Sequence, residues 1–225
     1  MGTLHLVRHG QASFGTDDYD RLSDLGWRQC QALGAWLRES GISYQGVLRG
    51  RLRRQRESLE ALASALPDLP AATEWPALDE YDSAALLRSA AHLQPQAMPS
   101  PQTPEGRRAH FRLLRLALLE WMDGRLQPEG LPAWDDWARA VGGVLDHVRQ
   151  RFDGHVLIVS SGGPICTAVA HALAAPAATA VELNLRLRNS ALSELQFTTK
   201  RHALLSFNTL PHLQQPDRQA WITYA

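Results

Sequence analysis

The sequence predicts an α/β fold in which a mostly parallel sheet is covered by helices on both faces, giving three layers. Strand-like runs alternate with helical segments along the chain. Two of these runs, LHLVRHG at 4–10 and HVLIVSSGGPI at 155–165, end in polar residues and glycines. The length of 225 residues is enough for a sizeable core. We therefore expect a single domain over residues 1–225.

The first part of the chain is predicted to hold three extended segments and two helices. The extended segments are residues 3–8, about 45–49, and 71–78. Ser23 suits the N-cap of a helix whose apolar residues recur at helical spacing and which Gly41 closes. A second helix, rich in arginine, is predicted from about 51 to 66, where Pro67 stops it.

Residues 83–153 differ in character, and we expect them to form a helical insertion over the sheet, not an independent domain. Prolines that no helix could cross crowd one loop, at Pro95, Pro99, Pro101 and Pro104. Thr103 and Pro104 are predicted to start a helix as N-cap and first residue. A further helix carries apolar residues on one face between Trp137 and Val148.

The last part returns to the alternating pattern. Residues 155–160 are typical of a buried strand, and a helix with Pro164 near its first position is expected to follow. Runs at 191–197 and 203–207 predict two more strands that complete the sheet.

The charges exclude one large class of function. Lysine plus arginine total 23 and aspartate plus glutamate total 23, so the formal net charge is zero. A nucleic-acid-binding protein that neutralises many phosphates normally carries a basic face, so we expect no nucleic-acid partner. Lys200 is the only lysine, which leaves 22 arginines. Composition explains most of them, but arginine also suits a small pocket for a phosphate.

Location and membrane association are predicted from apolar runs and cysteines. No apolar run approaches the roughly 20 residues that span a bilayer, so we expect no membrane partner. The N-terminus shows no secretion signal. Cys30 and Cys166 lack the spacing of a disulfide framework or metal motif, which favours a cytoplasmic location.

The two polar strand ends contain the candidate chemistry, since sites in α/β sheets form at the carboxyl ends of strands. The first end offers Arg8, His9 and Gln11, and the second offers hydroxyls and free N–H groups at a helix N-terminus. A neutral imidazole can attack phosphorus, and a nearby guanidinium keeps it neutral. Taken alone, an Arg-His pair more often contains a histidine that only hydrogen-bonds in a turn.

Six segments in chain order favour the interpretation of His9 as a nucleophile. LVRHGQASF at 6–14 resembles the RHG signature of the histidine phosphatase superfamily, also called the phosphoglycerate mutase-like family. The later segments that resemble this family are LSDLGWRQCQALG at 22–34, GRLRRQRES at 50–58, LDEYD at 78–82, SSGGPI at 160–165 and Asn189-Ser190. The resemblance runs from residue 4 to about 207. It implies a phosphoglycerate mutase-like fold.

The resemblance also implies roles for individual residues. His9 becomes phosphorylated, Arg8 and Arg54 hold the phosphoryl oxygens, and Glu80 is the general acid. Asp79 and Asp82 stay open as alternatives for the acid. The remaining phosphate contacts that we expect are Gln11, Ser161 and Gly162.

The chain departs from the family pattern at several positions. Ser161 replaces the second family histidine, and a serine donates a hydrogen bond without bringing a positive charge. Losing one such electrostatic donor commonly lowers rates by ~10²–10³, so we expect reduced activity. Gly15 replaces an asparagine, and Gly50 opens the second arginine motif. His212 is either a compensating imidazole or, as we favour, a surface or turn histidine.

The function predicted from these features is a phosphomonoester hydrolase acting through phospho-His9. The alternatives are a phosphoglycerate mutase-like phosphotransferase and a catalytically weak protein that binds a phosphorylated ligand and regulates. The expected substrate is a small phosphorylated metabolite or a phosphoprotein. No cofactor is expected. His5 and His9 share a strand face, but without an acidic or cysteine partner at fitting spacing we expect no metal.

Overall fold

The computed structural model describes residues 1–13, 20–93 and 103–224, and it confirms the predicted α/β fold. The strands are β1 (Gly2–Arg8), β2 (Tyr44–Arg49), β3 (Ala72–Glu74), β4 (His155–Ser160), β5 (Leu192–Phe197) and β6 (His202–Thr209). The helices are α1 (Asp24–Glu39), α2 (Arg53–Ala63), α3 (Ser83–Ser89), α4 (Pro104–Met122), α5 (Trp134–Arg151), α6 (Gly162–Ala172) and α7 (Ala177–Asn184). The sequence analysis did not predict α7.

The six strands form one sheet in the order β3-β2-β4-β1-β5-β6. Neighbouring strands are parallel except at β5, which runs antiparallel to both β1 and β6. The central pair, β1 and β4, aligns Arg8 with Ser160. The two polar strand ends predicted from the sequence therefore lie side by side at one edge of the sheet.

Helices cover both faces of the sheet because its buried strands are apolar on both sides. Along β1, Leu6 belongs to the hydrophobic core under α5 and α6, whereas Val7 belongs to the core under α1 and α2. Leu33 of α1 and Val144 of α5 are buried contributors from the two helical layers. The site is thus built on a rigid, doubly covered scaffold.

Three predicted boundaries were wrong. The second helix spans Arg53–Ala63 instead of 51–66, because Leu52 keeps an extended backbone with ψ of 143°. The extended segment at 71–78 is a strand only in β3 and then turns at 76–78. Helix α6 begins at Gly162, so Pro164 is its third residue. A proline fits there because first-turn N–H groups have no intrahelical partner.

The segment 83–153 shares a hydrophobic core with the sheet, to which Leu86 of α3 and Leu118 of α4 contribute. Its interpretation as an insertion within one domain stays a prediction. Thr103 caps α4 as predicted, with its Oγ1 accepting a hydrogen bond from the Gly106 N–H at 3.0 Å. The predicted loop positions Pro95, Pro99 and Pro101, like Gly15, lie outside the described residues.

The cysteines and the helices relate to the predictions about location and membrane association. Cys30 and Cys166 are both buried free thiols. Over the described ranges, no helix combines the length and the apolar character that crossing a bilayer requires.

Gly26 of α1 packs directly on the chain that follows His9. A Cβ at Gly26 would collide with the Gln11 carbonyl oxygen. We predict that Gly26→Ala lowers the free energy of unfolding by about 1–3 kcal/mol, as expected for overpacking. Urea denaturation measures the change.

Gly143 of α5 provides the matched control, because a Cβ there meets nothing within 4 Å. Gly143→Ala should raise stability by about 0.5–1 kcal/mol through helix propensity alone. A Gly26→Ala variant as stable as Gly143→Ala would contradict the close approach.

Candidate active site

His9 lies immediately beyond β1, and its backbone is fixed on both sides. Its N–H donates to the Ser160 carbonyl at 2.9 Å, and its carbonyl accepts from the Ser190 N–H at 3.1 Å. The side chain is only 3% exposed. The imidazole is therefore held by neighbouring segments of the sheet instead of by a free loop.

The hydrogen bonds of the His9 ring select one tautomer. Nδ1 lies 2.7 Å from the Gly10 carbonyl oxygen, which only accepts, so Nδ1 carries the proton. Nε2 then presents a lone pair, and the Arg54 Nε–H donates to it at 3.3 Å. Burial, followed by the charges of Arg54 and Arg8, lowers the pKa of His9 well below 6.5. The ring is thus neutral at pH 7, with Nε2 free to act as a nucleophile.

Arg8 and Arg54 place two buried guanidinium groups at this imidazole. Arg8 ends β1 and donates to the Leu187 carbonyl. Arg54 lies in the first turn of α2, and its Nη1 bonds Asp20 Oδ1 at 2.5 Å. A phosphoryl group bound beside His9 would meet two permanent positive charges.

Glu80 provides a carboxyl group in the same site. Both of its oxygens lie 3.1 Å from the Gly163 N–H in the first turn of α6. Burial raises its pKa, while the Gly163 N–H, Arg54 and Arg8 act in the opposite direction. A carboxyl with a raised pKa is suited to donate a proton near neutral pH.

The two alternative acids have structural partners. Asp79 accepts from the Arg51 N–H at 2.5 Å and from Arg51 Nε at 2.8 Å. Asp82 is the N-cap of α3, with Oδ1 accepting from the Ala85 N–H at 2.9 Å. The choice of Glu80 as the general acid stays a prediction.

The remaining predicted phosphate contacts divide into two groups. Ser161 and Gly162 lie at the start of α6, directly beyond β4 and beside the end of β1. Gln11 is different, because its Oε1 accepts from Ser23 Oγ at 2.8 Å. This bond places the Gln11 side chain at the start of α1.

His212, predicted to be a surface or turn histidine, is in a turn but not at the surface. It lies in a short 3-10 turn and is only 3% exposed. Its Nε2 lies 2.9 Å from Ser190 Oγ, and burial with the charge of Arg218 lowers its pKa to about 3. Ser190, not His212, contacts the His9 backbone.

Sequence reasoning missed several residues around the site. Gln55 Nε2 donates to Ser161 Oγ at 2.9 Å, and Asn184 of α7 donates to Tyr81 Oη at 2.9 Å. Asp20, which forms an ion pair with Arg54, was not predicted either. Only Gln55 had a signal, since it follows Arg54 in the second arginine motif.

His5 has an acidic neighbour that the sequence spacing did not indicate. Glu194 lies beside His5, with Oε1 3.4 Å from Nε2, although the sequence showed no acidic partner. Across the described parts of the chain, no three histidine, cysteine or acidic side chains are arranged to hold a metal ion. A metal-free site stays a prediction.

Comparison with known proteins identifies the class. The family model of the histidine phosphatase superfamily, branch 1, matches residues 4–210, so the chain belongs to this superfamily. No curated protein sequence matches the chain.

Solved structures show the same fold at low sequence identity. A mycobacterial glucosyl-3-phosphoglycerate phosphatase superposes with a TM-score of 0.64 at 20% identity, covering 93% of this chain and 99% of its own. A phosphoserine phosphatase mutant from Entamoeba histolytica, in complex with phosphoserine, gives 0.63 at 16%, covering 95% and 100%. A phosphoglycerate mutase from Bacillus anthracis gives 0.65 at 14%, covering 94% of each chain. The phosphoglycerate mutase-like fold is thereby confirmed.

We predict that His9 is neutral at pH 7 with its proton on Nδ1. Long-range ¹⁵N NMR of the imidazole, assigned with a His9→Gln variant, measures this tautomer directly. Because the folded pKa lies below the unfolded value near 6.5, the unfolded chain binds the proton first as pH falls. The contribution of His9 to stability is therefore complete above 6.5 and lost below it. Two protonated ring nitrogens at pH 7 would contradict the assignment.

Proposed function

We propose that this protein is a phosphomonoester hydrolase that acts through a phosphohistidine intermediate on His9. Membership of the histidine phosphatase superfamily supports a phosphatase-type function. The observation that carries the specific proposal is the unprotonated Nε2 of His9, which Arg54 contacts at 3.3 Å and whose ring is influenced by the charges of both Arg54 and Arg8. A nucleophile and fixed positive charges are what phosphoryl transfer requires.

In the first half-reaction, the Nε2 lone pair attacks phosphorus and the bond from phosphorus to the ester oxygen breaks. Glu80 gives its proton to that oxygen as it leaves. Arg8 and Arg54 neutralise the phosphoryl oxygens. The phosphorylated ring becomes positively charged, and the Nδ1–H bond to the Gly10 carbonyl stabilises that charge.

In the second half-reaction, water attacks phosphorus and the bond from phosphorus to Nε2 breaks. Glu80, now ionised, takes the proton from the water. The products are inorganic phosphate and the regenerated neutral His9. Each group thus ends in the protonation state in which it began.

One structural neighbour bears on the proposed class of substrate. We favour a small phosphorylated metabolite, because a structural neighbour is a complex with phosphoserine. A phosphoprotein is the other candidate.

The buried free thiols of Cys30 and Cys166 fit a reducing cytoplasm. Ser161 adds no charge to the site, which favours turnover slower than a second histidine would permit.

Two other functions use the same residues. A mutase must keep its phosphoryl group away from water, and a regulatory binding protein needs no turnover. Incubation with 3-phosphoglycerate distinguishes them, since a hydrolase releases phosphate, a mutase forms an isomer and a binding protein does neither.

We predict that His9→Ala abolishes hydrolysis of p-nitrophenyl phosphate, because no other group replaces the nucleophile. Acid-quenched wild-type enzyme should carry an acid-labile, alkali-stable phosphoryl group that His9→Ala lacks. Unchanged turnover in His9→Ala would contradict the proposal. Circular dichroism checks that the variant folds.

We predict that Glu80→Gln slows hydrolysis of alkyl phosphates by about 10²–10⁴, because these poor leaving groups need a proton. Hydrolysis of p-nitrophenyl phosphate should fall much less, since nitrophenolate leaves without one. Asp82→Asn is the matched control, because asparagine still caps α3. A larger loss in Asp82→Asn than in Glu80→Gln would assign the acid to Asp82.

A further inference from the structure

Gln55 is a fully buried amide that joins three segments around the site. Its Oε1 accepts from the Leu52 N–H at 3.2 Å. Its Nε2 lies 2.8 Å from the Leu78 carbonyl oxygen and 2.9 Å from Ser161 Oγ. One side chain therefore connects the start of α2, the segment leading to Glu80, and the residue that caps α6.

These bonds fix the orientation of the amide. A backbone N–H only donates and a carbonyl only accepts, so Leu52 must face the amide oxygen and Leu78 the amide nitrogen. The second Nε2 proton then points at Ser161 Oγ. Because Oγ accepts from Gln55, the Ser161 hydroxyl proton is directed elsewhere.

The position of Ser161 indicates which group could accept its hydroxyl proton. Because β1 and β4 align Arg8 with Ser160, Ser161 lies beside His9 at the two strand ends. Over the described residues, no protein acceptor is bonded to the Ser161 hydroxyl proton, although the side chain is fully buried. A phosphoryl oxygen on His9 Nε2 would supply the acceptor.

Gly50 shows that this arrangement needs room. A Cβ at residue 50 would collide with Gln55 Oε1. Gly50 and Ser161, which are separate departures from the family motifs, are thus two contacts of one side chain.

We propose that Gln55 is a positioning residue that makes the Ser161 hydroxyl a hydrogen-bond donor to the phosphoryl group. This proposal rests on the proposed function, since it concerns the same phosphoryl site. Gln55 acts only through Ser161 and touches no reacting atom. A neutral hydroxyl that is oriented in this way supplies the fixed hydrogen bond that an imidazole would give, but not its positive charge.

The test is a double-mutant cycle with orthovanadate and inorganic phosphate as probes, measured by calorimetry. Ser161→Ala should weaken vanadate binding about 10- to 100-fold, the range for a hydrogen bond to a charged group. Gln55→Met, of similar length but without donors, should weaken it at least about fivefold when Ser161 is present. In the S161A background the same change should have less than about a twofold effect.

Ser160 provides the matched control, because its Oγ donates to the same Leu78 carbonyl at 2.6 Å. Ser160→Ala loosens the segment before Glu80 without touching Ser161 Oγ. Its effect on vanadate affinity should be the same with and without Ser161→Ala, because Ser160 does not bond the Ser161 hydroxyl. The loss of unfolding free energy caused by Gln55→Met should be smaller with Ser161→Ala than without it, because the bond to Ser161 Oγ is then already absent.

An equal effect of Gln55→Met in both backgrounds would overturn the proposal and leave Gln55 a packing residue. If Gln55→Met does not fold, the Ser161→Ala variant alone provides the test. The proposal is then overturned if Ser161→Ala binds vanadate as tightly as Ser160→Ala does. If the wild-type protein binds vanadate but hydrolyses no substrate, the hydrolase proposal is contradicted. The coupling between Gln55 and Ser161 in vanadate binding can still be measured in that case. Failure of wild type to bind either probe would overturn both.

Discussion

The parallel pairing of β1 with β4 is the constraint on which the site depends. Because Arg8 aligns with Ser160, the first residues beyond each strand, His9 and Ser161, are neighbours by construction. The bond from the His9 N–H to the Ser160 carbonyl continues the ladder one step past the strands. Arg54 reaches the site from α2 and the Gly163 N–H from α6, whereas Glu80 and Ser190 lie in connecting segments.

Burying so many ionisable groups together is unfavourable for folding. Desolvation lowers the pKa of His9 and raises that of Glu80, and in each case it favours the uncharged form of the group. The opposite directions of these shifts suit an unprotonated imidazole and a proton-donating carboxyl in one pocket. Burial of apolar side chains in the two hydrophobic cores on either side of the sheet offsets this cost.

Much of this arrangement could be predicted from the sequence because it follows chain order. Strand runs ending in polar residues predicted the fold, and the same runs predicted where His9 and Ser161 lie. What escaped prediction depends on contacts between distant segments, such as the bond of Gln55 to Ser161. The position of His212 failed for the same reason, since a turn next to a proline suggests exposure and only packing against Ser190 shows burial. Local patterns also cannot decide where Leu52 stops being extended, so the start of α2 was misplaced by two residues.

The missing side chain at Gly50 has an evolutionary consequence. A residue with a Cβ at position 50 excludes Gln55 from its present rotamer, so the two positions are epistatic. Any larger residue at 50 would push the amide away from the position in which it reaches both Leu78 and Ser161. The choice of residue at 50 thus constrains the choice at 55, although the two positions perform no chemistry themselves.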